Sequence, residues 1–312
     1  MGKLPTFAQD MDLVALIEEY GSEDKCRAYL AELRWPNGVV CPRCGATKGI
    51  SRIAARDVWE CDVDGYQFSV TAGTIFHDSH LPLWKWFLAV YMIGESKKGV
   101  SSNQLKRMLR VSYKTAWYLS HRIRSAMRED GAELLRGIVE ADEAHFGGRG
   151  SRSPFGRRAS EAASATVLGA VERGGEVRVR VSQHAGRMGT PTKRETWDFL
   201  TDMLHDDAAA LYTDSASIYT GFEDENTRHE VVNHSIGQWV QADVHTNTIE
   251  GVWSLFKRSV VGSYHHLSVK HLPAYLDEMA FRYNERGNPY LFRDALVRLI
   301  EADTMPYAEL IN

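Results

Sequence analysis

Three acidic residues stand where carboxylates from separate segments can work together. Asp142 closes the run GIVEAD, Asp214 closes ALYTD, and Glu250 lies within HTNTIEGVWSLFKR. The first two runs read as strands, which puts the aspartates at strand ends. In the third, Ile249, Trp253, Phe256 and Val260 recur at helical spacing, with Asn247, Glu250, Ser254 and Lys257 forming a polar stripe beside them. Two strand-end aspartates and a helical glutamate are the set that holds two divalent cations about 3.5–4 Å apart for in-line phosphoryl transfer. Hard oxygen donors suit Mg²⁺, which keeps exchangeable water for a substrate phosphate. Lys257, two turns beyond Glu250, shares its face and is placed to bind a phosphate beside the cations. Taken singly, each acid has a plainer reading. Asp142 or its neighbour Glu143 caps or pairs, Asp214 opens a turn with Ser215, and Glu250 is an acid favoured at a helix N-terminus.

A second chemistry is written in the cysteines. CPRCG places Cys41 and Cys44 with two residues between them, and CDVDG repeats the spacing with Cys61 and Asp64. This is the knuckle pattern of a zinc ribbon with a carboxylate as the last ligand. A structural Zn²⁺ on Cys41, Cys44, Cys61 and Asp64 is expected, with His77 and His80 as alternative fourth ligands; the competing reading is a metal-free ribbon that buries its thiols. Cys26 falls on the apolar face of its helix and reads as core.

The third signal is charge. From Lys97 to Arg128 there are nine Lys or Arg residues and no Asp or Glu, in a chain whose net charge is −4. Such a block implies an anionic polymer as partner. Its text, SSNQLKRMLRVSYKTAWYLSHRIRSAM, reads as a helix, the turn RVSY and a second helix. That is the helix-turn-helix pattern, with Lys106, Arg107, Arg110, Lys114, His121, Arg122 and Arg124 as candidate DNA contacts. An ordinary basic helical pair is the bland alternative.

The elements that must position these residues follow from periodicity. With 312 residues and 44% apolar content the chain can bury a substantial core. Residues 10–34 read as helix, 35–73 as short strands and turns, and 81–129 as helix again. After Gly131 the strands GIVEADEAHF, ATVLGAVER and GEVRVRV precede a helix near 194–204, the strands ALYTDSA and HEVVNHS, and helices near 246–261 and 268–284. A mixed α/β fold on one sheet is expected there. GGRGSRSPFGRRAS, between the first two strands, reads as a loop. Three regions are expected: 1–80 with the ribbon, 81–130 with the helix-turn-helix, and 131–312 with the acids. The chain shows no secretory leader and no apolar run long enough to span a membrane, so a cytoplasmic, nucleoid-associated protein is expected.

The motifs LRWPNGVVCPRCG, TAWYLSHRIR, VEADEAHFGG, YTDSASIY and NTIEGVWSLFKRSVVGSYHH, in this order, resemble the DDE transposases of insertion sequences that carry an N-terminal zinc ribbon, the ISXO-like group. The resemblance covers nearly the whole chain. It implies a ribonuclease-H-like catalytic domain in which Asp142, Asp214 and Glu250 match the acidic triad, with Asn247 as the competing third ligand and Lys257 as the basic residue that follows. It implies two Mg²⁺ or Mn²⁺ per site, double-stranded DNA at element ends and target as substrate, and a homo-oligomer on that DNA. The implied reaction frees a 3′-hydroxyl by hydrolysis and then transfers the strand. The competing classes are a domesticated, catalytically inactive DNA-binding protein and a plain two-metal nuclease.

Overall fold

A computed structural model describes residues 11–129, 131–147, 164–183, 190–222, 227–232, 243–265 and 267–311. The chain forms two compact units, Met1–Arg128 with Gly287–Asn312, and Glu129–Arg286. The loop read in GGRGSRSPFGRRAS lies outside the described residues except for Gly147, which ends a strand, and HEVVNHS is described as strand only to Val232.

In the first unit, the helix expected over 10–34 is two helices, α1 (Leu13–Tyr20) and α2 (Glu23–Arg34). Asp12 caps the first by accepting from the Val14 and Ala15 N–H groups, and Ser22 caps the second by accepting from Lys25. A cap residue inside an apolar period is enough to break a helix in two. The antiparallel ribbon sheet follows, β1 (Ile50–Ile53), β2 (Val58–Cys61) and β3 (Gln67–Phe68). Three helices come next: α3 (Leu83–Glu95), α4 (Ser102–Leu109) and α5 (Tyr113–Ala126). Residues 1–80 and 81–130, read separately in the sequence, share one core. Ring centroids of Tyr20 and Phe87 lie 5.5 Å apart, and the Leu83 N–H donates to Glu23 Oε2 at 2.7 Å.

The second unit holds β4 (Ile138–Gly147), β5 (Ser164–Glu172), β6 (Val177–Val181), α6 (Lys193–Met203), β7 (Ala210–Asp214), β8 (Arg228–Val232), α7 (Asn247–Ser259) and α8 (Leu272–Asn284). Its sheet runs β6-β5-β4-β7-β8; β4, β5 and β6 are antiparallel, while β7 and β8 run parallel to β4. Alternation along the strands feeds two faces. Val139, Ala141, Leu168, Ala170 and Leu211 pack with Phe199 and Leu200 of α6. Ala144, Phe146, Val167, Val171 and Val177 pack with Ile249, Val252, Trp253 and Phe256 of α7 and with Leu276 and Met279 of α8. The expected mixed α/β fold on one sheet is the one observed.

The C-terminal helices α9 (Leu291–Glu301) and α10 (Tyr307–Ile311) rejoin the first unit. Phe292 stacks edge-on with Phe87 at 5.7 Å, and the Ile75 N–H donates to the Leu299 carbonyl.

Candidate active site

Asp142 and Asp214 are brought together by strand register. The parallel pair β4–β7 is registered from Ile138–Ala210 to Glu140–Tyr212, and Asp142 and Asp214 each follow its last rung by two residues. Asp142 is mid-strand and not at the strand end expected, because β4 runs on to Gly147 against β5, whereas Asp214 does close β7. Neighbouring strands lie about 4.8 Å apart, which puts two carboxyls within direct electrostatic reach. Asp142 shows it. Its acid is pushed up to about 7, mainly by burial, with the charges of Glu143 and Asp214 adding, while a hydrogen bond from Trp253 opposes the rise. Glu143 is raised too, by burial first; the Tyr219 hydroxyl, which donates to it at 3.0 Å, works against the rise and the Asp214 charge adds to it. Asp214 Oδ1 also accepts from the Ala216 N–H at 2.9 Å, so the turn reading of this residue holds alongside its place beside Asp142.

The third acid arrives on α7. Ile249, Val252, Trp253 and Phe256 are buried, and Asn247, Glu250, Ser254 and Lys257 form the exposed stripe. The helix seats closely because Asp142's cross-strand partner is Gly169: an added Cβ there would meet the Trp253 ring at 2.5 Å and Ile249 Cδ1 at 3.3 Å. Trp253 then donates from Nε1 to Asp142 Oδ2 at 3.0 Å. Glu250, one turn before Trp253, stays in solvent, with Oε1 3.5 Å from Thr246 Oγ1. The structure therefore gathers Asp142, Asp214 and Glu143, and leaves Glu250, Asn247 and Lys257 on the exposed side of the helix above them. Asp142, Glu143 and Asp214 are partly buried, and the charge of Asp214 helps raise the acids of the other two, whereas the exposed Glu250 carboxylate keeps its hydration.

Two further residues escaped the sequence reading, Glu140 and Tyr219, while Glu143, read as a capping or pairing acid, and Trp253, read as core, also belong to the site. Glu140 is the one with a local signal, since it precedes Asp142 by two residues and must share its face of the strand.

The ribbon quartet does converge. Among the described residues, Cys41, Cys44, Cys61 and Asp64 each offer a ligand atom within 4.8 Å of the others. The two halves are built alike. Gly45 N–H returns to the Cys41 carbonyl and Gly65 N–H to the Cys61 carbonyl, with both glycines at positive φ, +73° and +66°. Asp64 thus occupies in the second knuckle the position of Cys44 in the first. Cys44 and Cys61 sulfurs are 3.6 Å apart, far beyond a disulfide bond of about 2.05 Å and near the roughly 3.8 Å edge of a tetrahedron with Zn–S bonds of about 2.3 Å. The donor set fits zinc, and His77 and His80 stand outside it.

The basic segment is split. Lys106, Arg107, Arg110 and Lys114 are exposed on α4, the intervening turn and the start of α5. His121, Arg122 and Arg124 are 1%, 4% and 0% exposed, so the expectation that they face DNA is corrected. Arg122 donates to the carbonyls of Ile75 and His77 and lies over the rings of Trp86 and Tyr118. The reason is that α5 is covered on several sides, by α3, α4 and α9, and a basic side chain in its second half meets backbone carbonyls and rings before it meets water.

Fold and site together define a class: a mixed α/β chain with carboxylates on neighbouring strands beneath a helix, carrying a cysteine-knuckle ribbon. Residues 134–284 match the ISXO2-like transposase domain and residues 21–63 the transposase zinc-ribbon domain. A protein of Halobacterium salinarum, described as an uncharacterized protein in transposable element ISH50, is 32% identical over 257 residues, covering 78% of this chain and 84% of the relative. The chain belongs to the ISXO2-like transposase family. Solved structures of the Mos1 transposase, in a paired-end complex with the left transposon end and in a strand transfer complex, are similar at 13% and 14% identity; each alignment covers 69% of this chain and 75% of the other, with a TM-score of 0.30.

Proposed function

We propose that this chain is a DNA transposase that binds the terminal inverted repeats of its insertion sequence and carries out metal-dependent strand cleavage and strand transfer. The observation that carries the reading is the closeness of Asp142, on β4, to Asp214, at the end of the neighbouring strand β7, whose charge helps burial push Asp142 up to about 7. Partly buried carboxyls that repel each other are stabilised together by a bound cation. Asp142 and Asp214 would hold divalent ions, Mg²⁺ or Mn²⁺, two per site, with Glu250 or Asn247 as the ligand from α7. When bound, such ions would supply activation of an attacking hydroxyl and stabilisation of the leaving oxygen in an in-line displacement.

The chain's own residues do the rest. Glu250 reaches the pair by rotating its side chain from the exposed stripe of α7, and Lys257 on the same stripe binds a DNA phosphate. Lys106, Arg107, Arg110 and Lys114 contact the duplex through a helix-turn-helix, and a zinc-held ribbon keeps its knuckles folded. The strand order β6-β5-β4-β7-β8, with three antiparallel and two parallel members, supports a ribonuclease-H-like reading of the second unit. Function as a homo-oligomer on two DNA ends, at the nucleoid, belongs to the same reading; among the described residues no helix is long and apolar enough to cross a membrane.

The test is cleavage of duplexes taken from the flanks of the gene by the purified full-length protein with Mg²⁺ or Mn²⁺. Nicks that expose a 3′-hydroxyl are expected, and Asp142→Asn or Asp214→Asn should abolish them while leaving DNA binding intact. Undiminished cleavage by those variants rejects the site, and a wild-type protein that binds the ends without cutting them favours the inactive DNA-binding reading.

A further inference from the structure

Thr246, at the head of α7, makes no capping hydrogen bond with its side chain, so the first turn lacks the usual local acceptor for its free N–H groups. The acceptor comes from the sheet. Glu140, fully buried on β4, takes hydrogen bonds from the Thr248 N–H (2.7 Å), the Ile249 N–H (3.1 Å) and the Thr248 hydroxyl (2.8 Å). Arg173 backs the carboxylate from the other side: its Nε lies 2.6 Å from Glu140 Oε1, and its remaining nitrogens donate to the carbonyls of Asp243 and His245 and to His245 Nδ1. The same guanidinium sits 4.9 Å from the ring centroid of Tyr212, the residue paired with Glu140 across the sheet. A carboxylate is costly to bury unless charge and hydrogen bonds are both satisfied, and here each oxygen is engaged.

The placement matters because Glu140 and Asp142 share one face of one strand, while Asn247 and Glu250 flank the two amides that Glu140 holds. We infer that Glu140, buttressed by Arg173, is a positioning residue: it sets the height and rotation of α7 over β4 and so fixes where the ligand from α7 stands relative to Asp142. The inference rests on the proposed reading of the Asp142–Asp214 site. Glu140 touches neither substrate nor the reacting atoms and acts through the helix. Within a packed pair of elements, a shift of about 1 Å at this joint is enough to cost 10²-fold in rate.

The experiment compares full-length wild type with Glu140→Gln, which keeps the volume but turns an amide N–H₂ toward the donors. Thr248→Val serves as a second variant that removes one donor and spares the buried acid. Three quantities are read: hydrogen exchange of the Thr248 and Ile249 amides against that of Val167 and Val179 in the sheet, Mn²⁺ binding, and the Mn²⁺ dependence of end cleavage. In Glu140→Gln the two helix amides should exchange at least about tenfold faster with the sheet amides unchanged, Mn²⁺ should bind about tenfold more weakly, and cleavage should fall about 100-fold with DNA affinity retained. Thr248→Val should move each quantity the same way by less. Unchanged exchange at Thr248 and Ile249 overturns the clamp, and faster exchange with wild-type Mn²⁺ binding and cleavage overturns its positioning role. If Glu140→Gln does not fold, Thr248→Val decides on the same criteria. A wild-type chain that binds no Mn²⁺ and cuts no ends sinks the transposase reading itself, a result separate from either failure of the clamp.

Discussion

The Trp253 indole donates to the Asp142 carboxylate at 3.0 Å, and its ring covers Gly169, the residue paired with Asp142 across the sheet. One side chain thus seats the helix and touches the acid. The bare backbone of Gly169 is what lets both happen.

Gly169→Ala places a methyl 2.5 Å from the Trp253 ring, closer than any packed contact allows. The ring must move, and overpacking of this kind costs about 1–3 kcal/mol. The expected outcome is a lower urea midpoint, altered tryptophan fluorescence and slower end cleavage. A variant with unchanged stability and activity would show that α7 has room to spare over β5.

The raised acid of Asp142 makes stability depend on pH. Because its folded value is about 7, well above the ordinary carboxylate range, the folded state holds a proton that the unfolded chain releases from about pH 4 upward. That contribution is complete at low pH and is lost as pH rises through 7, by an amount on the order of 3–4 kcal/mol. Relative to wild type, Asp142→Asn should therefore gain stability between pH 4 and 7 when no magnesium is added, as measured by thermal melts. Trp253→Phe removes a donor to the ionised form and should carry the loss window and the acid limb of the cleavage profile upward by about a unit. Parallel melting curves for wild type and Asp142→Asn would contradict the assignment.

Exposed and buried cations of the basic segment should part company in DNA binding. Alanine at Lys106, Arg107, Arg110 or Lys114 should weaken binding on every sequence tested and reduce the slope of log affinity against log salt by about one per contact. Arg122→Ala should instead lower the melting temperature, because it strips the Ile75 and His77 carbonyls of their donor and uncovers two rings. Titrations at several salt concentrations, set beside thermal melts, separate the two classes. A loss of salt slope in well-folded Arg122→Ala would reverse the division.

At the ribbon, one zinc per chain is expected by elemental analysis, and its removal by a chelator should lower the melting temperature. Asp64→Ala should weaken retention by about tenfold or more, whereas Asp64→Cys should hold zinc at least as firmly, since a thiolate is the softer donor. Equal retention by wild type and Asp64→Ala would remove Asp64 from the ligand set.

Much of this was legible along the chain. The period-two runs around Asp142 and Asp214 are strands of one sheet, the helical period around Trp253 is α7 with the face expected, and the repeated knuckle spacing brings Cys41, Cys44, Cys61 and Asp64 into one cluster. Each of these is a local property. Backbone geometry ties residues a few positions apart to one face, or to one turn, wherever the rest of the chain goes.

What the fold alone decided involves residues far apart in sequence. That Glu143 joins Asp142 and Asp214 while Glu250 stays in solvent depends on strand register and on how closely a helix seats over a glycine. That Arg122 and Arg124 are core and Lys106 and Arg107 surface depends on the helices packed around α5, one of them from the far end of the chain. That Glu140 caps a helix more than a hundred residues away has no trace in the helix itself. Periodicity says which side of an element is apolar, but burial and charge are sums over everything that packs against it, and that sum exists only once the chain has folded.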